Sequence, residues 1–190
     1  MKVCILNGFD KSSAISEDVF NSIKGQLGDD DASHIENLAL DAVQIQYCKG
    51  CFGCWFVNNG KCVFNDSFEE IARNYISSDV AVVLTRVVFG GYEAKVKRVI
   101  DKFICLLLPL FEKTKGEYNH RKRYPKNPNL ITIGVMENKN EKETGIFREL
   151  TERNSINLHA DSWYSEVISE SDSYEAINDV IQKAMKKVRV

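Results

Sequence analysis

Val80-Ala81-Val82-Val83-Leu84 is a run of five apolar residues between Ser77-Ser78-Asp79 and Thr85-Arg86. It is too short for a helix, rich in a β-branched residue, and lacks the alternation of a strand with one wet face. Such a run suits a strand buried on both faces of a parallel sheet. Val3–Leu6 (VCIL) and Leu130–Val135 (LITIGV) read the same way. Outward from these three strands, apolar residues recur at helical spacing. Ile15, Val19, Ile23 and Leu27 form one face, ended by Gly28 and the aspartates after it. Phe68, Ile71, Ala72, Tyr75 and Ile76 form a second, opened by Asp66 as N-cap with Glu69 three residues on. Val96, Val99, Ile100, Phe103, Ile104 and Leu107 give a third that closes at Pro109. A weaker fourth is marked by Ile146 and Leu150, and Tyr174 to Val188 carries the last. The stretches 33–40 (SHIENLAL) and 162–169 (SWYSEVIS) alternate more and read as edge strands.

Strands and helices thus alternate along 190 residues, which predicts one α/β domain over 1–190 with helices on both sheet faces. Five strands fit a flavodoxin-like α/β/α sandwich, a five-stranded parallel sheet in the order 2-1-3-4-5. Two segments interrupt the alternation: a cysteine loop at 48–62 and a basic insertion at 112–129, with six Lys or Arg against two Glu. At 44% apolar and 27% charged residues the composition is that of a globular protein. The longest apolar runs are far short of the ~18 residues of a membrane span. The N-terminus lacks the apolar region of a signal peptide, so a cytoplasmic chain is expected. A net charge of −2 gives no general field for nucleic acid or anionic lipid.

In this strand order ligands bind at the carboxyl ends of the strands, where the order reverses between strands one and three. After the first strand, Asn7-Gly8-Phe9-Asp10-Lys11-Ser12-Ser13 leads into a helix start, whose free N–H groups and dipole suit a phosphate. The same serines serve equally as helix caps. Neither a Walker loop nor a G-x-G-x-x-G fingerprint is present. After the third strand, Thr85-Arg86-Val87-Val88-Phe89-Gly90-Gly91 offers apolar surface and a glycine turn for a flat ring. After the fourth, Gly134-Val135-Met136-Glu137 is a further wall.

Four of six cysteines fall within fifteen residues, as Cys48-x2-Cys51-x2-Cys54-x7-Cys62. Without a secretory signal, a disulfide framework explains them poorly. Three thiols at steps of three and a fourth soon after resemble an iron–sulfur run more than a zinc site, which spaces two C-x2-C pairs farther apart. An activated dithiol and buried core thiols are the other readings. Cys4 and Cys105 lie in apolar runs and read as core.

The pattern C-x-G-C-F-x-C-W…G-K-C-V at 48–63, with Asp66, the glycine loop and Lys97…Ile100-Asp101-Lys102, resembles the flavodoxin-fold NAD(P)H-dependent FMN reductases. It is most similar to their cysteine-bearing branch, the iron–sulfur flavoproteins. The segment Gly116-Glu117…His120-Arg121-Lys122-Arg123-Tyr124-Pro125…Pro128 resembles an insertion in that branch. The resemblance implies FMN held by Asn7, Gly8, Lys11, Ser12 and Ser13 at its phosphate. Thr85 to Gly91 would lie along its ring, with Gly134, Met136 and Glu137 at the far edge. It implies Cys48, Cys51, Cys54 and Cys62 as ligands of a [4Fe–4S] cluster, or as the same thiols without iron. It further implies hydride transfer from NAD(P)H to the flavin, an electron acceptor that the sequence does not name, and a homo-oligomer, a dimer or tetramer. Trp55, Phe56 and Tyr92 are interface candidates, and Arg121, Lys122 and Arg123 are candidates for a nucleotide phosphate or an acidic partner. No side-chain acid or base is singled out for catalysis. The competing class is a non-enzymatic electron carrier or metal-thiolate protein on the same fold.

Overall fold

The computed structural model describes residues 1–10, 12–27, 34–114 and 116–188. Lys11, the Gly28–Asp31 helix stop and Ser33 at the head of the second strand lie outside them.

Five parallel strands form the main sheet: β1 (Lys2–Asn7), β2 (His34–Ala39), β3 (Val80–Val88), β7 (Asn129–Met136) and β8 (Trp163–Ser169). Their order is β2-β1-β3-β7-β8, the expected 2-1-3-4-5. The central runs fail to alternate because helices cover both faces. Val3 and Ile5 of β1, Val80, Val82 and Leu84 of β3, and Ile131, Ile133 and Val135 of β7 pack against α1 (Ala14–Leu27) and α6 (Tyr174–Val188). The intervening Cys4, Leu6, Ala81, Val83 and Leu130 face the other layer. That layer holds α3 (Phe68–Ile76), α4 (Ala94–Lys102) and α5 (Glu141–Asn157). The seventeen-residue α5 is longer than its weak periodicity announces; Asn140 caps it by accepting from Glu143 N at 3.1 Å.

Three segments differ from the sequence reading. Beyond Thr85 the chain forms a hairpin: β3 pairs antiparallel with β4 (Gly91–Tyr92). Its two turn residues, Phe89 and Gly90, have φ of 51° and 75°, the double positive φ that matches strand twist in a two-residue turn. The third helix does not run to Pro109. It ends at Lys102, tightens into a 3-10 turn over Phe103–Leu106, and passes into β5 (Leu107–Thr114). The basic insertion is largely β structure, because β6 (Glu117–Lys122) pairs antiparallel with β5, placing Phe111 opposite His120. Tyr92 is core: it is 7% exposed and its hydroxyl accepts from Asn154 at 3.0 Å.

Tyr75, on α3, is buried with its ring 4.4 Å from that of Phe103, centroid to centroid. Its hydroxyl has no hydrogen-bond partner among the described residues. Burial pushes its pKa far up. An orphaned buried hydroxyl costs about 1–3 kcal/mol. Tyr75→Phe is therefore expected to raise unfolding stability by about 1 kcal/mol in urea titrations, and a loss of stability would contradict this account.

Candidate functional site

At the switch point, β1 and β3 end side by side. Gly8 N donates to Leu84 O at 2.8 Å. A side chain at Gly8 would meet Leu84 O at 2.9 Å and Val96 Cγ2 at 2.7 Å, so the close approach requires glycine. Asn7 is buried and organises the turn: its Nδ2 donates to Ser16 Oγ at 2.7 Å and its Oδ1 accepts from Phe9 N at 2.9 Å. Ser12 donates through both N and Oγ to the Asp10 carboxylate, at 2.8 and 2.6 Å, and Ser13 Oγ accepts from Ser16 N at 3.2 Å. Those hydrogen bonds hold the Asp10 carboxyl below its usual pKa. The loop thus already cradles an anion, supplied by its own chain.

The residues of the expected ring wall divide. Val88 and Phe89 are exposed, Phe89 at 91%, and form an apolar tip at the carboxyl end of β3. Arg86 lies 4.8 Å over the Phe9 ring and forms an ion pair with Glu170. Thr85, Gly90, Gly134 and Met136 point into the fold. Thr85 Oγ1 donates to Arg86 O and accepts from Glu93 N. A side chain at Gly134 would strike Val87 Cγ2 at 2.6 Å and Phe147 at 2.7 Å. Glu137 is exposed, and its carbonyl accepts from Ser169 Oγ at 3.1 Å.

The cysteine loop stands on the α3–α4 side of the sheet. Cys48, Cys51, Cys54 and Cys62 line one cavity of about 30 Å³ together with Phe64, Lys102, Ile104 and Cys105. Cys48 and Cys51 are exposed and Cys54 is buried, at the start of the short helix α2 (Gly53–Phe56). Burial raises the Cys54 pKa, partly opposed by a hydrogen bond with Cys105. Cys105 is thus core, as expected, but it is also a wall of this cavity. By contrast Cys4, pushed up to about 12 by burial, is a thiol of the sheet core.

Three residues of the quoted motifs, none of them read there as a tether, hold this loop. Where α4 frays into the 3-10 turn, backbone carbonyls are left without helical partners. Trp55 Nε1 donates to Ile104 O and Leu107 O, both at 3.0 Å. Arg123 donates to Cys105 O at 3.1 Å, Leu107 O at 3.2 Å and Asn59 Oδ1 at 2.8 Å, so this arginine is structural. Lys102, 1% exposed, pairs with Asp66 at 2.6 Å. Asp66 also accepts from Gln46 N at 2.8 Å, just before Cys48, and from Phe68 N at 3.0 Å at the start of α3. The signal for Lys102 was in the sequence: it sits on the same helical stripe as Val99 and Phe103.

Comparison with known proteins agrees with this architecture. No family model matches the chain. An iron–sulfur flavoprotein of Archaeoglobus fulgidus is 29% identical over 70 residues, 37% of this chain. The match spans about a third (31%) of that relative's length. Among solved structures, an azoreductase from Bacillus anthracis superimposes with a TM-score of 0.66 at 13% identity, over 99% of this chain and 98% of its own. An FMN-dependent NADH-azoreductase from the same species, in complex with FMN, gives 0.63 at 14% identity, over 98% and 97%. An NAD(P)H:quinone oxidoreductase from Methanothermobacter marburgensis gives 0.66 at 13% identity, over 100% and 98%. The chain has the flavodoxin-like fold of these proteins.

Proposed function

We propose that this protein is an FMN-dependent oxidoreductase that accepts hydride from NADH or NADPH and passes electrons to an acceptor. The reading is carried by the switch point, where an anion-cradling loop on β1 lies beside the exposed Val88–Phe89 tip of β3. The donor set fits a phosphate, which would take the place the Asp10 carboxylate holds on Ser12 N and Oγ. Val88 and Phe89 would cover one side of the ring and exclude water from it. Arg86, held by Glu170 and the Phe9 ring, sets a fixed positive charge at the same edge. FMN bound there supplies the hydride acceptance and the onward electron transfer. The fold likeness to an FMN-containing azoreductase and a quinone oxidoreductase supports this reading.

For the cysteine loop our reading is a [4Fe–4S] cluster on Cys48, Cys51, Cys54 and Cys62, supported by their sharing one cavity. Among the described residues no three His, Cys, Asp or Glu side chains converge on a single ion. In a cubane cluster each thiolate serves a different iron, unlike the ligands of a zinc site. The cavity holds about one water, so cluster insertion must widen it. All six thiols are free, in keeping with a reducing cytoplasm. Among the described residues no helix is long and apolar enough to cross a membrane. A homodimer is the assembly we read from the exposed apolar residues Phe56, Val57, Leu110, Phe111 and Tyr118.

The test is anaerobic purification followed by FMN titration, iron and sulfide counts, and addition of NADH or NADPH. One FMN per chain, bleached by either nucleotide, is the expected result. A chain that binds no added FMN overturns the reductase and leaves the metal-thiolate protein, which the five-thiol cavity would then favour. FMN binding without bleaching identifies a carrier instead.

A further inference from the structure

One side of α3 borders a cavity of about 260 Å³ that shares only Cys62 with the cysteine cavity and none of the strand-end residues. Its floor is apolar. Phe68, Ala72 and Ile76 follow one another at four-residue steps on α3, and Leu106 and Tyr124 complete the lining. Ala72 is the short member of that stripe and leaves the space a longer side chain would fill. An apolar cavity of ~150 Å³ takes a benzene ring, so this one has room for two fused rings.

The rim is cationic. Lys61 Nζ and Arg73 Nη2 reach the same atom, Glu69 Oε1, at 2.9 and 3.1 Å. One carboxylate thus serves two cations, which leaves a positive charge in excess and further N–H donors to spare. Arg123 stands behind Gly60 in the same wall, where a side chain would meet its Cδ at 3.1 Å. Among the described residues it binds neutral oxygens alone, those of Cys105, Leu107 and Asn59. Apolar floor and cationic rim together match a ligand with a flat apolar body and one anionic end.

We propose that this cavity is a binding site for a small aromatic carboxylate of one or two rings. The ring lies on the Phe68, Ala72 and Ile76 stripe beside Tyr124, and the carboxylate bridges Lys61 and Arg73. Binding is non-covalent and leaves the Cys62 thiol in the wall unchanged. The site needs neither flavin nor iron, so it stands or falls apart from the reductase and cluster readings.

The test is calorimetric titration of the full chain with 2-naphthoate, with 2-naphthalenemethanol as its neutral match. One naphthoate per chain is expected, bound about tenfold more tightly than the alcohol. Lys61→Gln and Arg73→Gln should each weaken naphthoate about threefold and leave the alcohol unchanged. Glu69→Gln removes the competing carboxylate and should tighten naphthoate by about the same factor. Ala72→Leu fills the hollow and should abolish binding of both; if that variant folds poorly, the exposed Lys61 and Arg73 variants carry the test. Saturating FMN should leave the naphthoate affinity unchanged. The proposal is overturned by naphthoate that does not bind at millimolar concentration, by equal affinity for the alcohol, or by a folded Ala72→Leu that still binds. Competition with FMN also overturns it, because that places naphthoate at the strand ends instead.

Discussion

Lys102→Met is expected to be the most damaging single substitution near the site, costing about 3–5 kcal/mol and lowering Tm by about 6–20 °C. The ammonium is 1% exposed, lies over the rings of Phe64 and Phe68, and meets Asp66 at 2.6 Å. Methionine fills the volume but leaves a carboxylate in low dielectric without its counter-charge. Lys102→Met with Asp66→Asn should recover part of the loss, because the amide carries no charge; its single oxygen keeps one of the two N–H donors, Gln46 N and Phe68 N, that separate carboxylate oxygens accept from. A double variant as unstable as the single would show that packing, not charge, is at stake. The pair also predicts acid sensitivity. Burial tends to raise the Asp66 pKa, but Lys102 and the two backbone N–H groups outweigh it and hold it below the usual carboxylate range. A carboxyl depressed on folding contributes stability above its unfolded pKa and loses it as pH falls through the folded one. Wild type should therefore lose stability below about pH 4, and urea midpoints in Asp66→Asn should fall less steeply there. Equal slopes in the two proteins would remove Asp66 from the account.

Trp55→Ala is expected to release the cysteine loop at a cost of about 2–3 kcal/mol. A fully buried tryptophan costs about 3–5 kcal/mol to truncate, and Trp55 is half-buried. Its indole stacks on Phe52 at 5.2 Å, contacts His120 at 5.0 Å, and donates to the Ile104 and Leu107 carbonyls. Without it, Arg123 still ties Asn59 of the loop to the carbonyls of Cys105 and Leu107. Trp55→Phe keeps a ring and drops only the N–H, so it should cost about 1 kcal/mol. Limited proteolysis reads the local effect: cleavage within 48–62 should accelerate strongly in Trp55→Ala and little in Trp55→Phe. Unchanged cleavage in both would assign the loop's order to other contacts.

Much of the architecture was legible because burial on both faces leaves a direct mark on composition. Val80–Leu84, Val3–Leu6 and Leu130–Val135 could be placed as central strands without any pairing information, and helical spacing supplied the layers. The errors came where local pattern and tertiary context part. Phe103, Ile104 and Leu107 continue the apolar spacing of α4, yet the chain leaves the helix at Lys102, and beyond that point the carbonyls of Ile104, Cys105 and Leu107 are met by Trp55 and Arg123, distant in sequence. The basic segment read as a loop because its charge was plain, while its strand pairing with β5 was not. For Thr85, named as a strand-end residue, whether the side chain faces the cleft or the core depends on how β3 bends into its hairpin.

The amino-acid sequence by itself determined the α/β alternation and the grouping of four cysteines, since each follows from periodicity or spacing along the chain; the strand order was matched to the flavodoxin-like pattern that five such strands fit. Only the tertiary structure decided that Cys105 lines the cavity of those four and that Lys102 pairs with Asp66. Both depend on contact and desolvation between residues tens of positions apart, and no local pattern records which of them will meet.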